Sequence, residues 1–315
     1  MIDKLEMFIA LVRERHFGRA AESIGVTQPT LSSAIRQLED QLNVQLVHRG
    51  SRFQGLTPEG ERVHLLALRI VGDMRALRDE MRAVRSDLEG TLRIGVIPTA
   101  LPMVADLVSP YALRHPRVRF QILSRTSVEI LDQMDRLDLD AGITYLDADA
   151  RRRRTVLPLY RERYRLLVAV SDPLAARDRV GWHELGGEQL CLLTPDMQNR
   201  AIVDRHLAAA GVTPKAQVES NSIIALVAHV MSGKWASVVP EKLAGMFVSA
   251  GAIAAVPISG AGRGQPDGEG RGYPDGEGQG EGEDKGEPVG LVMVQREPLT
   301  PLLATLSDVA RQLAV

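Results

Sequence analysis

Cysteine is nearly absent: the 315-residue chain has one, Cys191. A single thiol excludes an internal disulfide framework and any cysteine-rich zinc site. Cys191 then reads as a small buried apolar residue rather than a nucleophile. Long hydrophobic runs are missing too. No stretch approaches the roughly 18 apolar residues that a membrane helix needs. The opening Met1-Ile2-Asp3-Lys4 has no basic leader and no apolar block, so no signal peptide is expected. Serine-elbow, P-loop and zincin patterns are also lacking, and the seven histidines are scattered. The expectation is a cytoplasmic protein with no catalytic residue, no metal, no cofactor and no membrane partner. What remains is ordinary for a folded protein: 44% hydrophobic and 25% charged residues, in a length that accommodates two or three domains.

Net charge is nearly absent as well, at −2, but it hides a local imbalance. Between Gly260 and Gly290 eight acidic residues face three basic ones. That segment carries −5 and the remainder +3. Residues 1–60 hold seven basic and seven acidic side chains, so a nucleic-acid contact there must come from placement rather than bulk charge. The acidic segment contains twelve glycines and a near-duplication around Pro266-Asp267-Gly268-Glu269 and Pro274-Asp275-Gly276-Glu277. Such a composition cannot bury enough apolar surface to order itself, so 260–288 is expected to be a disordered insertion. No complete calcium loop is present in it.

Residues 1–58 carry a helix-turn-helix pattern. Leu5, Phe8, Ile9 and Val12 share one helical face, and Ala20 and Ala21 permit close helix approach. Gly25 stands where a tight turn wants positive φ. Thr27 is placed to cap the next helix, with Pro29 in its first turn. Leu31, Ile35, Leu38 and Leu42 form that helix's apolar face; Gln28, Thr30, Ser32, Ser33 and Arg36 lie opposite. Short or planar hydrogen-bonding groups near a helix N-terminus suit a major groove. The same face also fits a solvated helical hairpin. Residues 47–54 read as two short strands around a turn, with His48, Arg49 and Arg52 placed as on a wing.

The run Phe17-Gly18-Arg19-Ala20-Ala21, then Gly25-Val26-Thr27-Gln28-Pro29-Thr30-Leu31-Ser32, then Ile35-Arg36-Gln37-Leu38-Glu39, then Leu56-Thr57-Pro58-Glu59-Gly60 resembles the N-terminal domain of LysR-type transcriptional regulators. One departure is Val47, where that family usually has phenylalanine. The resemblance implies that Gln28, Pro29, Thr30, Ser33 and Arg36 lie at DNA, with Arg49 and Arg52 on the wing. An interrupted palindromic double-stranded operator and RNA polymerase are the partners it implies.

Residues 59–88 form one helical pattern. Val63, Ala67, Ile70, Met74, Leu77, Met81, Val84 and Leu88 are spaced 4-3-4-3-4-3-4, a heptad seam suited to pairing two copies. A single amphipathic helix packed on its own domain is the other reading. Residues 91–315 alternate strands with helices: Thr91–Pro98, Val118–Leu123, Asp140–Tyr145 and Arg163–Val170 are the clearest strands. The pattern predicts a parallel α/β sheet with ligands beyond the carboxyl ends of its strands. This part resembles the two-lobed, periplasmic-binding-protein-like effector domain of the same family. The expected fold class is thus α + α/β: a winged helix-turn-helix, a dimerisation helix, and two lobes at about 91–161 with 289–315 and 162–259.

By that resemblance the effector site draws on Thr99, Ala100, Thr126, Ser127, Thr144 and Tyr145 of the first lobe. The second lobe adds Met197, Gln198, Asn199, Arg200, Asn221, Ser222, Val239 and Pro240. Hydroxyls, amides and one arginine suit a small polar or anionic effector, and for each hydroxyl a plain helix cap is the other reading. Met1–Leu5 and Thr194–Arg200 are similar to regulators associated with formate dehydrogenase operons, which implies formate as the effector. The resemblance also implies a dimer or tetramer. Two functions of other classes stand beside this one: a carrier or enzyme with an accessory helical module, and an architectural DNA-binding protein. The first lacks a nucleophile, metal cluster or cofactor loop, and the second lacks the cationic excess that sequence-independent binding needs.

Overall fold

The structure is a computed structural model and describes residues 1–48, 53–85, 88–213, 215–248, 251–259, 286–295 and 298–313. It divides into two units, Met1–Glu89 with Pro298–Leu302 and Gly90–Glu297 with Leu303–Val315.

In the first unit α1 (Ile2–Glu14), α2 (Phe17–Ser23), α3 (Gln28–Leu42) and α4 (Pro58–Arg85) surround one core of Leu5, Phe8, Leu11, Ala20, Ala21, Leu31, Ile35, Leu38 and Leu46. Side-chain caps set the starts of α2, α3 and α4. His16 Nδ1 accepts from the amides of Gly18 and Arg19 and caps α2. The Thr27 hydroxyl accepts from Thr30 N and caps α3. Thr57 Oγ1 accepts from Gly60 N at 2.9 Å, satisfying one of the free amides at the start of α4. Gly25 takes φ +71° between α2 and α3, and a Cβ at Gly60 would stand 2.0 Å from Leu46 O, so this helix start can lie against the chain only as glycine. Val47 pairs antiparallel with Leu56. Arg49 and Arg52, the wing residues expected from sequence, lie outside the described residues.

The long helix does not present its apolar residues as one seam. Ala67 and Val71 are sealed into the unit's core with Val63 partly buried against it, while Leu66, Ile70, Leu77 and Met81 are exposed and Met74 is half-buried. The start of α4 serves its own domain and leaves a second apolar stripe outside. The side chain of Val84 is outside the described residues, and Leu88 lies beyond the helix's end.

The second unit has two lobes. In the first, β1 (Gly90–Val96), β2 (Val118–Ser124) and β3 (Ala141–Tyr145) run parallel. They are joined by α5 (Leu101–Arg114) and α6 (Ser127–Asp135). After the short α7 (Ala148–Arg151), β4 (Arg154–Glu162) and the returning β11 (Glu287–Val294) complete a five-stranded sheet in the order β2-β1-β3-β11-β4. The second lobe holds β5 (Tyr164–Ala169), β6 (Val180–Gly181), β7 (Leu190–Leu193), α8 (Gln198–Ala209), β8 (Ala216–Ser220), α9 (Ile223–Met231), β9 (Ser237–Pro240), α10 (Glu241–Val248) and β10 (Ile253–Ser259). The chain returns through β11 (Glu287–Val294) and ends in α11 (Pro301–Leu313).

Parallel strands are what the alternating pattern predicts, and only part of the unit follows it. β11 lies antiparallel to both β3 and β4, and β5 lies antiparallel to β9 and β10. Strand direction is decided by which distant segment returns alongside, and hydrophobic patterning does not encode that. β11 also starts at Glu287, two residues before the expected boundary, because Glu287 pairs with Glu162 in register. Residues 260–285 of the acidic insertion lie outside the described residues.

Candidate functional site

In the first unit α3 turns one face inward and one to solvent. Leu31, Ala34, Ile35 and Leu38 are buried, whereas Thr27, Gln28, Pro29, Thr30, Ser33 and Arg36 are exposed and Ser32 is half-buried. The hydroxyls of Thr27 and Thr30 pair at 2.8 Å, and Gln37 donates to Ser33 Oγ at 3.3 Å. Arg36 has no ion-pair partner among the described residues. The face is thus short, polar and unobstructed, and it can offer hydrogen bonds and one guanidinium to a polar surface.

In the second unit the chain crosses from lobe to lobe between Glu162 and Tyr164, and a cavity lies between the lobes. Its inner end holds about 10 Å³, space for one water. It is lined by Thr99 in the turn after β1, Thr126 and Ser127 at the start of α6, Tyr145 at the end of β3, and Gln198 and Asn199 at the start of α8. These sites stand at carboxyl ends of strands and amino ends of helices, where free N–H groups and strand topology both favour ligands. The outer part is a cavity of about 780 Å³ that shares Pro98, Thr126 and Met197 with the inner end and adds Asn221 and Ser222.

The Thr99 hydroxyl serves the Glu162 carboxylate, whereas Ser127 Oγ is buried with no hydrogen-bond partner among the described residues. A buried hydroxyl in that condition costs about 1–3 kcal/mol, so a ligand that reaches it gains what the folded protein forgoes. The Thr126 neighbour is different. Its hydroxyl accepts from Glu129 N and its amide donates to the Glu129 carboxylate, a complete capping box.

Beneath the inner end lies Glu162, 1% exposed. Its carboxylate accepts from Tyr145 Oη at 2.6 Å and Tyr160 Oη at 3.2 Å. Burial pushes the Glu162 pKa up to about 7; hydrogen bonds from Tyr145, Thr99 and Tyr160 oppose the rise and Glu287 adds to it. Asn199 Nδ2 donates to Tyr145 Oη at 3.1 Å, joining α8 to the first lobe. Gln198 Nε2 donates to Asp147 at 2.9 Å, and Arg205 pairs with Glu287. Three polar contacts thus hold the lobes together around the cavity.

The structure does not bring every expected effector residue to this place. Ala100, Thr144 and Arg200 line neither part of the cavity. Thr144 is sealed within β3. Arg200 braces its own lobe, with Nε on Asp204 at 2.8 Å and Nη1 on Glu219 and Leu193 O, both at 2.7 Å. Pro240 lines a separate pocket with Tyr160, Arg163 and Lys242. Conversely, Glu162 and the apolar residues Leu101, Pro102, Leu243, Met246 and Phe247 belong to the cavity or its floor and were not anticipated. A signal for Glu162 existed. In Tyr160-Arg161-Glu162-Arg163-Tyr164 strand alternation puts the two tyrosines and the glutamate on the inward side, and all three are buried.

Comparison with known proteins agrees with this layout. Residues 2–61 match the family described as bacterial regulatory helix-turn-helix protein, lysR family, and residues 85–267 match the LysR substrate binding domain. A hydrogen peroxide-inducible genes activator of Pectobacterium carotovorum subsp. carotovorum is 34% identical over 193 residues, 61% of this chain and 64% of that protein. The aligned part therefore spans just under two thirds of that relative. A full-length OxyR variant from Pseudomonas aeruginosa has the same fold, with a TM-score of 0.72 at 24% identity over 100% of this chain and 96% of that one. CbnR, a LysR family regulator solved in complex with its target DNA, aligns with a TM-score of 0.59 at 21% identity over 100% of both chains.

Proposed function

The chain belongs to the LysR family of bacterial helix-turn-helix regulators, and from that premise we propose that it is a ligand-responsive, sequence-specific DNA-binding transcriptional regulator. The exposed face of α3 carries the reading. Gln28, Thr30, Ser33 and Arg36 meet base edges and Pro29 and Thr27 set the helix end against the backbone, with Arg49 and Arg52 on the wing. The exposed stripe of α4, Ile70 with Leu77 and Met81 and the half-buried Met74, pairs two copies, so that two α3 helices address the halves of an interrupted palindrome. A small molecule between the lobes, at Thr99, Ser127, Tyr145, Gln198 and Asn199 with Thr126, Asn221 and Ser222 outside, binds the two lobe arrangements unequally and so shifts the operator geometry. RNA polymerase is the further partner that the family resemblance implies.

Fluorescence anisotropy with DNA from upstream of the protein's own coding region, against scrambled competitor at near-physiological salt, tests the reading. Preference for the upstream DNA supports it; equal affinity for both duplexes with a steep salt slope overturns it in favour of architectural binding.

A peroxide-sensing role, taken from the names of the relatives, finds no support in the thiol. Peroxide reacts with an accessible thiolate. Cys191 is the sole cysteine and is fully buried in the second lobe's core. Its Sγ lies 3.6 Å from Leu226 O, and burial pushes its pKa up to about 11. Formate, implied by the sequence resemblance, gains no support from the relatives' names and enters the tests as one candidate among several.

A further inference from the structure

A second pocket opens at the crossover between the lobes, and we infer that it binds a doubly charged tetrahedral oxyanion, the group shared by sulfate and phosphate monoesters. The inference depends neither on DNA binding nor on the interlobe cavity. No residue that lines this pocket lines either part of that cavity.

Strand alternation builds the site. Along β4 and the crossover Tyr160, Glu162 and Tyr164 turn inward and are buried, so Arg161 and Arg163 turn outward, and both are exposed. Tyr164 of β5 pairs with Pro240 of β9, and Glu241 N donates to Arg163 O at 2.8 Å. That pairing lays the start of α10 against the crossover. Lys242 then joins the two arginines around a cavity of about 320 Å³, at the lower end of the volumes that small ligands occupy.

The acids here are already engaged. Glu241 is ion-paired with Arg165, and Glu287, which pairs with Glu162 across the sheet, is ion-paired with Arg205. Glu162 is 1% exposed and accepts from Tyr145 and Tyr160. Burial pushes its pKa up to about 7, so near neutral pH it brings at most a partial charge to the pocket.

The cations are available. Among the described residues neither Arg163 nor Lys242 has a carboxylate within ion-pair distance. Lys242 Nζ lies 4.4 Å from the centroid of the Tyr160 ring. That contact holds the ammonium at the pocket wall and leaves its charge without an acidic partner. Arg161 Nη1 donates to Gly286 O at 2.8 Å, which anchors a second guanidinium at the rim. Two guanidiniums and an ammonium in one concavity focus positive potential. Guanidinium forks match the oxygens of a phosphate-type group in pairs, and the ammonium adds a point charge. A monoanion leaves part of that charge uncompensated; a dianion meets more of it. Bound there, the dianion touches Arg161 on β4 and Lys242 on α10 and so bridges the two lobes.

The test uses the full chain at about pH 7 and constant ionic strength, with sulfate, glycerol 3-phosphate and acetate as probes in isothermal calorimetry. Sulfate and glycerol 3-phosphate should bind at least about tenfold more tightly than acetate. Tighter binding of glycerol 3-phosphate than of sulfate supports the site and assigns its remaining volume to an organic group; equal binding supports it as a site for the bare oxyanion. Arg163→Ala and Lys242→Ala should each weaken the dianion by about tenfold, because each removes a charged hydrogen-bond donor. Lys242→Gln, which keeps the stem and loses the charge, should do the same with less change in packing. Lys234→Ala, on an exposed cation of the same lobe outside the pocket, should leave affinity unchanged. Denaturant curves followed by tryptophan fluorescence check that each variant is folded. Failure of both dianions to bind overturns the inference. So does a dianion affinity that survives the Arg163 and Lys242 substitutions, or a loss in Lys234→Ala equal to theirs.

Discussion

The exposed face of α3 and the inner end of the interlobe cavity are built from the same few residue types, yet they handle polarity in opposite ways. On α3 the hydroxyls of Thr27 and Thr30 pair with each other and Ser33 is held by Gln37, all in contact with water. In the cavity Ser127 carries a buried hydroxyl with no partner among the described residues, and Glu162, reached by Thr99, is buried with a raised pKa. A wet face can wait for a large polar partner at no cost, because water satisfies it. A dry chamber waits for a small ligand at a cost of a few kcal/mol, which binding returns. Substitutions in the two places should therefore differ in sign, in pH dependence and in salt dependence.

The largest effect expected concerns association. Leu77 is exposed on α4, and a Leu buried at an interface contributes about 1.5–3 kcal/mol per copy. Leu77→Glu should shift the protein to monomer in sedimentation equilibrium while leaving its helical content intact. A dimer that persists unchanged would remove the outer stripe of α4 from the interface.

Next comes pH. Glu162 titrates near 7 in the fold against 4.5 when free. The folded chain holds a proton that the unfolded chain has released, so the stability contribution is full below 4.5 and falls as pH rises to about 7. The loss amounts to about 3 kcal/mol. Both tryptophans, Trp182 and Trp235, lie in the second unit, so denaturant curves followed by tryptophan fluorescence report on it alone. Glu162→Gln should flatten the pH dependence of those curves between 4.5 and 7. A slope that survives the substitution would place the titrating group elsewhere.

Arg36→Ala should weaken specific DNA binding by about 1–3 kcal/mol, with most of the loss at one base position, if its guanidinium reads a base edge. The smallest pair of effects sharpens the comparison best. Thr27→Ala removes a cap from α3 and should cost about 1 kcal/mol. Ser127→Ala removes a buried hydroxyl without a partner and should instead raise stability by about 1 kcal/mol. Hydrogen exchange resolves the first unit and tryptophan fluorescence the second. A destabilising Ser127→Ala would mean that the hydroxyl is satisfied.

The α3 face was readable in advance because its signals are local. Gly25, Thr27 and Pro29 announce a turn and a helix start, and the 3.6 period then sorts Leu31 and Ile35 from Gln28 and Arg36. The cavity was half readable for the same reason. Hydroxyls and amides at strand ends and helix starts mark Thr99, Thr126, Ser127 and Asn199. Its other half was not, because Leu243, Met246 and Phe247 look like core in any sequence, and only the relation of two lobes leaves them lining a space. Arg200 shows the converse. It reads as the one cation near the site, yet Asp204 and Glu219 hold it as a brace, and the strand pairing that puts Glu219 beside β7 cannot be seen along the chain. The apolar positions of α4 gave one heptad seam by spacing, while packing divides them between the core at Ala67 and the outside at Leu77.

The most direct test of the account is a single anisotropy experiment at near-physiological salt. Wild-type protein and Arg36→Ala are titrated onto the upstream duplex and onto a scrambled duplex of equal length. The account predicts a clear preference of the wild type for the upstream DNA and loss of much of that preference in the variant, with affinity for the scrambled duplex little changed. Equal preference in both proteins, or none in either, would contradict the claim that the exposed face of α3 reads DNA.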